Sequence, residues 1–192
     1  MKKSISTILL CCFIFSIFSC SFALTPSNDP FPETSIGYMF DSEGNKLEAI
    51  GHLVSIESTT QSENSIAVTY EYTLRAPKVT VEEPDDGYSG TVYLTNHYSI
   101  SGSKYLLTEV SGRWVMNDPN ARVISASVDY YNDAINTAMQ RGSSPVSNNF
   151  SVLTGFTEYG YNTDAFTIGS VLYLTIRVGT SRTYDSDTQN FL

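Results

Sequence analysis

Four carboxylates crowd one short stretch of the chain: Glu82, Glu83, Asp85 and Asp86 stand just ahead of Gly87, with Asp185 and Asp187 far downstream. Hard cations such as calcium take their ligands from carboxylate and carbonyl oxygens, and extracellular calcium sites draw them from acidic loops. Glu82, Glu83, Asp85 and Asp86 are therefore the candidate metal ligands, calcium is the one candidate cofactor, and no other cofactor is expected. The EF-hand pattern is missing, since Asp185-x-Asp187 lacks the turn glycine. The competing reading of the acidic stretch is a solvated turn that keeps a sheet edge soluble.

Two histidines, His52 and His97, are the only general bases of their kind. They lie far apart in sequence, and no spacing supplies the further ligand that a zinc site needs. Neither Gly-x-Ser-x-Gly, His-Glu-x-x-His nor a glycine-rich phosphate loop occurs. By strand parity His97 shares a side with Tyr93 and opposes Leu94 and Tyr98, which makes it a sheet-surface histidine. No catalytic residue is assigned.

Tyrosine is the third resource, with 13 in the chain. Its ring offers an apolar face and a polar tip, which suits sugars and protein interfaces alike. Tyr70 and Tyr72 share parity with Ile66 and Leu74 and belong to a core. So does Trp114, in phase with Val110 and Met116. Tyr159 and Tyr161 flank Gly160 in phase with Thr157 and Thr163, and these two are the candidate ligand-binding tyrosines.

The elements that position these residues are strands. Ile66, Val68, Tyr70, Tyr72 and Leu74 alternate with Ala67, Thr69, Glu71, Thr73 and Arg75, the signature of a half-buried strand. Val92 to Ile100, Ile124 to Tyr130 and Phe150 to Phe156 alternate similarly. Val171 to Val178 is apolar on both sides at its start, as a central strand is. Turn signals such as Ser42-Glu43-Gly44-Asn45, Ser101-Gly102-Ser103 and Asp118-Pro119-Asn120 separate the runs. The pattern predicts an all-β chain, a single antiparallel β-sandwich of about eight to ten strands. One short helix is expected near 133–141, with Asn132 as N-cap and Gly142 closing it.

The 192 residues divide into a signal peptide over 1–23, a Pro-rich leader over 24–35 and one domain over 36–192. Lys2 and Lys3 precede an apolar run, Ile5 to Phe18, and Ser21-Phe22-Ala23 has the small-x-small form of a cleavage site. Cleavage after Ala23 makes the chain a secreted, extracellular protein. The alternative is lipidation at Cys20, which makes it a membrane-anchored lipoprotein. The segment resembles a bacterial signal, and no later apolar stretch reaches spanning length, so no transmembrane segment is expected in the mature chain. Cys11, Cys12 and Cys20 all leave on cleavage after Ala23. The mature chain then has neither a disulfide framework nor a thiol nucleophile.

Without Lys2 and Lys3 the charge is 9 basic against 20 acidic residues. That balance excludes nucleic acid as a partner. The sequence points to an exported non-catalytic module that binds a protein or glycan at the cell envelope or outside it, with enzymatic activity disfavoured. Two alternatives stand beside it: a secreted carboxylate-dependent hydrolase on the same scaffold, whose paired acids need no motif, and a secreted antimicrobial or toxin-like effector.

Overall fold

The computed structural model describes residues 31–40, 43–58, 64–75, 89–133, 139–161, 167–179 and 182–192. These form eleven strands: β1 Thr34–Phe40, β2 Lys46–Ser58, β3 Ser65–Arg75, β4 Ser89–Ser101, β5 Lys104–Met116, β6 Ala121–Asn132, β7 Gln140–Pro145, β8 Phe150–Leu153, β9 Gly160–Tyr161, β10 Ile168–Val178 and β11 Arg182–Phe191. Ten follow one hydrogen-bonded path, β7-β6-β10-β11-β1-β2-β3-β4-β5-β8, and the two-residue β9 pairs with β5. Every ladder is antiparallel. β10 is central, between β6 and β11, as its apolar start implied.

The strands do not divide into the two stacked sheets of the expected sandwich. β1 pairs with β11 on one side and β2 on the other, which joins both halves of the chain into one antiparallel sheet. That sheet curls into a half-barrel, because each strand has an apolar inner face to bury and no second sheet to bury it against. Val68, Tyr70, Tyr72 and Leu74 of β3, Val92, Leu94 and Tyr98 of β4, and Leu172, Leu174 and Ile176 of β10 line the enclosed side.

The curl is fixed by polar side chains reaching across the interior. Asn190 of β11 donates to the carbonyls of Val68 and Leu94, both at 3.1 Å. Asn96 of β4 donates to the Asn190 carbonyl at 2.7 Å and to the Tyr98 hydroxyl, and accepts from Ser170 of β10 at 2.6 Å. The Tyr72 hydroxyl donates to the Gln189 carbonyl. Buried polar groups are costly unless paired, so these bonds hold the two halves in one register.

The rim of the curl runs between consecutive strands. β7 and β8 are the two ends of the path, joined through residues 146–149, and no ladder pairs them. Amide side chains close the seam instead. Asn132, fully buried, accepts from the Leu107 N–H at 2.9 Å and donates to the Glu158 carbonyl at 2.8 Å. Gln140 accepts from the Thr157 N–H at 2.8 Å, and Asn148 accepts from the Trp114 N–H at 2.9 Å.

Two sequence boundaries move. The expected helix near 133–141 loses its end, since Gln140 and Arg141 pair with Asn132 and Tyr131 in the β6–β7 ladder. Residues 134–138 lie outside the described residues, and no helix occurs among the described ones. At Gln140 and Arg141 the register with β6 consumes the backbone groups that a helix needs. β1 opens at Thr34, ahead of Ile36, and Phe31 is buried against Tyr98 and Tyr105, with ring centroids 5.9 and 6.2 Å away. The Pro32 carbonyl accepts from the Tyr70 hydroxyl at 2.6 Å.

An open groove on the outer face as candidate functional site

Side chains out of phase with the core face outward, and the ladders align them into rows. Ser55, Thr69, Thr95, Ser111 and Ser151 are successive register partners across β2, β3, β4, β5 and β8. Neighbouring strands lie about 4.8 Å apart, so the hydroxyl row extends roughly 19 Å. A parallel row reads His52, Glu71, Tyr93 and Arg113. On the other flank stand Glu57, Ala67, His97, Glu109 and Leu153.

Over the first two rows lies an open groove of about 530 Å³, lined by Val54, Tyr93, Arg113, Asn149 and Phe150 and by four of the hydroxyl residues, Thr69, Thr95, Ser111 and Ser151. That volume is in the range of small-ligand clefts. A one-residue bulge in β2 places Val54 at its edge. Gly112 lets β5 pack closely on its neighbours, because a Cβ there, on the inward side of the strand, would sit 2.7 Å from the Tyr93 carbonyl and 2.9 Å from the buried Phe150 ring. Asn149 forms the lip at φ 58°, the one positive-φ non-glycine among the described residues. Asparagine tolerates that left-handed conformation better than most residues, and the Asn148 side chain holds the turn by accepting from the Asn149 N–H at 3.0 Å.

The groove is internally braced. Thr69 and Thr95 share a hydrogen bond of 2.9 Å, His97 Nε2 and Ser111 Oγ one of 3.0 Å, and Ser151 donates to Glu109 at 2.7 Å. Each hydroxyl keeps capacity for a further bond, because it can both donate and accept. The Arg113 guanidinium lies 4.3 Å from the centre of the Tyr93 ring, a cation–π contact. The Tyr93 hydroxyl titrates above its ordinary range because it donates to Glu71; burial and the Glu71 charge add to this and Arg113 opposes it.

The remaining half of the outer face, over β6, β10, β11 and β1, is acidic and tyrosine-rich. The Tyr131 hydroxyl donates to Asp129 at 3.3 Å, and the Tyr131 and Phe191 rings lie 6.2 Å apart. Burial, then the Asp129 charge and Tyr173, push Tyr131 up to about 12. Tyr173 rises through burial, then Asp129 and Asp187. The Asp187 carboxyl is raised by burial, against the pull of the Tyr38 backbone and Lys46, and its Oδ1 has no hydrogen-bond partner.

The residues singled out from sequence fall in several places. Glu82, Glu83, Asp85 and Asp86 lie outside the described residues, as does Cys20. Among the described residues no group of three or more His, Cys, Asp or Glu side chains is arranged to hold a metal ion. Asp185 accepts from Thr175 at 2.8 Å. Tyr159 shares a 2.9 Å bond with Ser99 on the outward side of β4, and Tyr161 lies under the Lys104 ammonium at 4.8 Å. Both are removed from the groove. Tyr70, Tyr72 and Trp114 are in the core, as their parity required.

Sequence reading missed Tyr93, Arg113 and the hydroxyl row as a group. Parity marks each as outward, but only the register between distant strands aligns them.

The Ser111–His97 pair has the contact of a nucleophile and base. Its setting differs from an acyl-transfer site, because β4 and β5 backbone N–H groups lie in the sheet plane within ladders, rather than converging on a developing oxyanion. What the arrangement offers is hydroxyls, one ring and one guanidinium set in a lining that is mostly apolar. No protein-family model, curated protein or solved structure matches the chain.

Proposed function

We propose that the chain is an exported, non-catalytic binding module, and that the outer groove over β2–β5 and β8 takes a glycan. The observation that carries this reading is the groove itself, where a row of hydroxyls runs beside an aromatic ring and the methyls of Val54 and threonines. Sugars present apolar C–H faces and hydroxyl edges, and this mixture complements both. Export rests on the apolar segment before Ala23, and the alternative of a lipid anchor at Cys20 leaves the groove's role unchanged. A glycan array probed with the purified domain tests the reading. Binding that Tyr93→Ala abolishes without loss of fold supports it. Binding that survives both Tyr93→Ala and Ser111→Tyr contradicts the assigned location.

The hydrolase alternative has one supporting observation: the raised, half-buried Asp187 carboxyl beside Tyr173, which also feels Asp129. A polysaccharide-release assay comparing wild type with Asp187→Asn decides it, since a hydrolase of this kind loses turnover in the variant.

A further inference from the structure

Taking the groove as a glycan site, we propose that its ligand carries a carboxylate, a uronate or sialate sugar, and that Arg113 is the residue that reads it. The guanidinium lines the groove and is held by stacking on Tyr93 at 4.3 Å. Tyr93 is in turn flanked by Glu71, its register partner on β3. Stacking fixes the plane of the guanidinium and leaves its N–H edge available, and that fork matches a carboxylate's two oxygens.

Arg141 pairs with Asp133 at 2.9 Å, the one ion pair among the described residues. Arg113, like Lys46 over Tyr38 and Lys104 over Tyr161, has a ring but no carboxylate. What sets Arg113 apart is its place, as the one basic side chain among the described residues that lines the groove. Around it, Ser111, Ser151 and Thr95 supply the hydroxyl-directed bonds that an acidic peptide does not need and a sugar ring does.

The net charge sets the ligand's charge density. With 20 acidic residues against 11 basic ones in the full chain, the domain repels a polyanion at long range. One arginine in an acidic surround therefore fits a ligand with one carboxylate at the contact, not a densely charged polymer.

The experiment is a calorimetric titration of the full domain with short oligosaccharides carrying a single glucuronate, galacturonate or sialate, each beside its carboxyl-reduced counterpart. The expected result is binding that weakens at least about tenfold on carboxyl reduction, and by a similar factor with Arg113→Ala. Arg113→Lys, which keeps the charge and loses the fork, restores part of it. Equal affinity for acid and reduced sugars overturns the carboxylate while leaving the glycan reading standing. Binding of no sugar in the panel overturns both. An oligoglutamate that binds as tightly overturns the sugar assignment, and acid-selective binding indifferent to Arg113→Ala overturns the residue.

Discussion

β3, β4 and β5 carry two chemically different faces on the same backbone. The inner face commits most of its polar groups: Asn96 makes three hydrogen bonds and the Asn190 amide nitrogen makes two, all to groups within the fold, while Asn190 Oδ1 and Ser186 Oγ are left without a partner. The outer face has polar groups in number but braces them only pairwise, leaving hydroxyl capacity and a guanidinium without a carboxylate. A buried polar network that is largely satisfied favours one structure, whereas a solvated one with spare capacity is available to a ligand. Under the proposed function, stability belongs to the one face and recognition to the other.

The largest separation between the faces is expected from Asn96→Leu. It strips partners from the Asn190 carbonyl, the Ser170 hydroxyl and the Tyr98 hydroxyl, and a loss of about 3 kcal/mol in urea unfolding is expected. Asn132→Ala should behave alike, since it orphans the buried Leu107 N–H and opens the seam. A ligand affinity altered by more than stability accounts for would break the division.

On the outer face the ordering reverses. Tyr93→Ala is expected to weaken ligand binding at least about tenfold while unfolding stability stays within about 1 kcal/mol of wild type, because the side chain faces out. Paired titrations and melts on one preparation check both halves of that statement.

Tyr72→Phe deletes only the hydroxyl bonded to the Gln189 carbonyl and should cost about 1 kcal/mol. The smallest effect belongs to Asp187→Asn. Burial raises this carboxyl in the folded state above its unfolded value, so the folded protein holds the proton more tightly. Stability from this group then falls as pH rises from the unfolded pKa through the folded one. The asparagine variant should melt slightly higher at neutral pH, and the gain should vanish below the ordinary carboxylate range. Melting curves across pH test the sign, and a variant less stable at neutral pH would show that the charge is used.

Much of this was legible in the sequence, and the remainder was not for definite reasons. Alternation placed Tyr70, Tyr72, Leu94 and Trp114 inside and Thr69, Glu71 and His97 outside, because side-chain parity is local. Pairing is not local. Nothing in the runs indicates that β1 bridges β11 and β2, and that bridge makes one curled sheet where a sandwich was expected. The hydroxyl row was hidden for the same cause, since Ser55 and Ser151, its two ends, are aligned only through four successive ladders. Tyr161 is exposed, as parity implied, and Tyr159 half-buried; what spacing does not encode is that Ser99 and Lys104 meet them.

The most direct test of the division is an amide NMR titration with the singly charged oligosaccharide that binds tightest by calorimetry. The account expects saturable shifts clustered at Tyr93, Thr95, Ser111, Arg113 and Asn149–Ser151. Shifts centred instead on Tyr131 and Tyr173, or on Tyr159 and Tyr161, would contradict it.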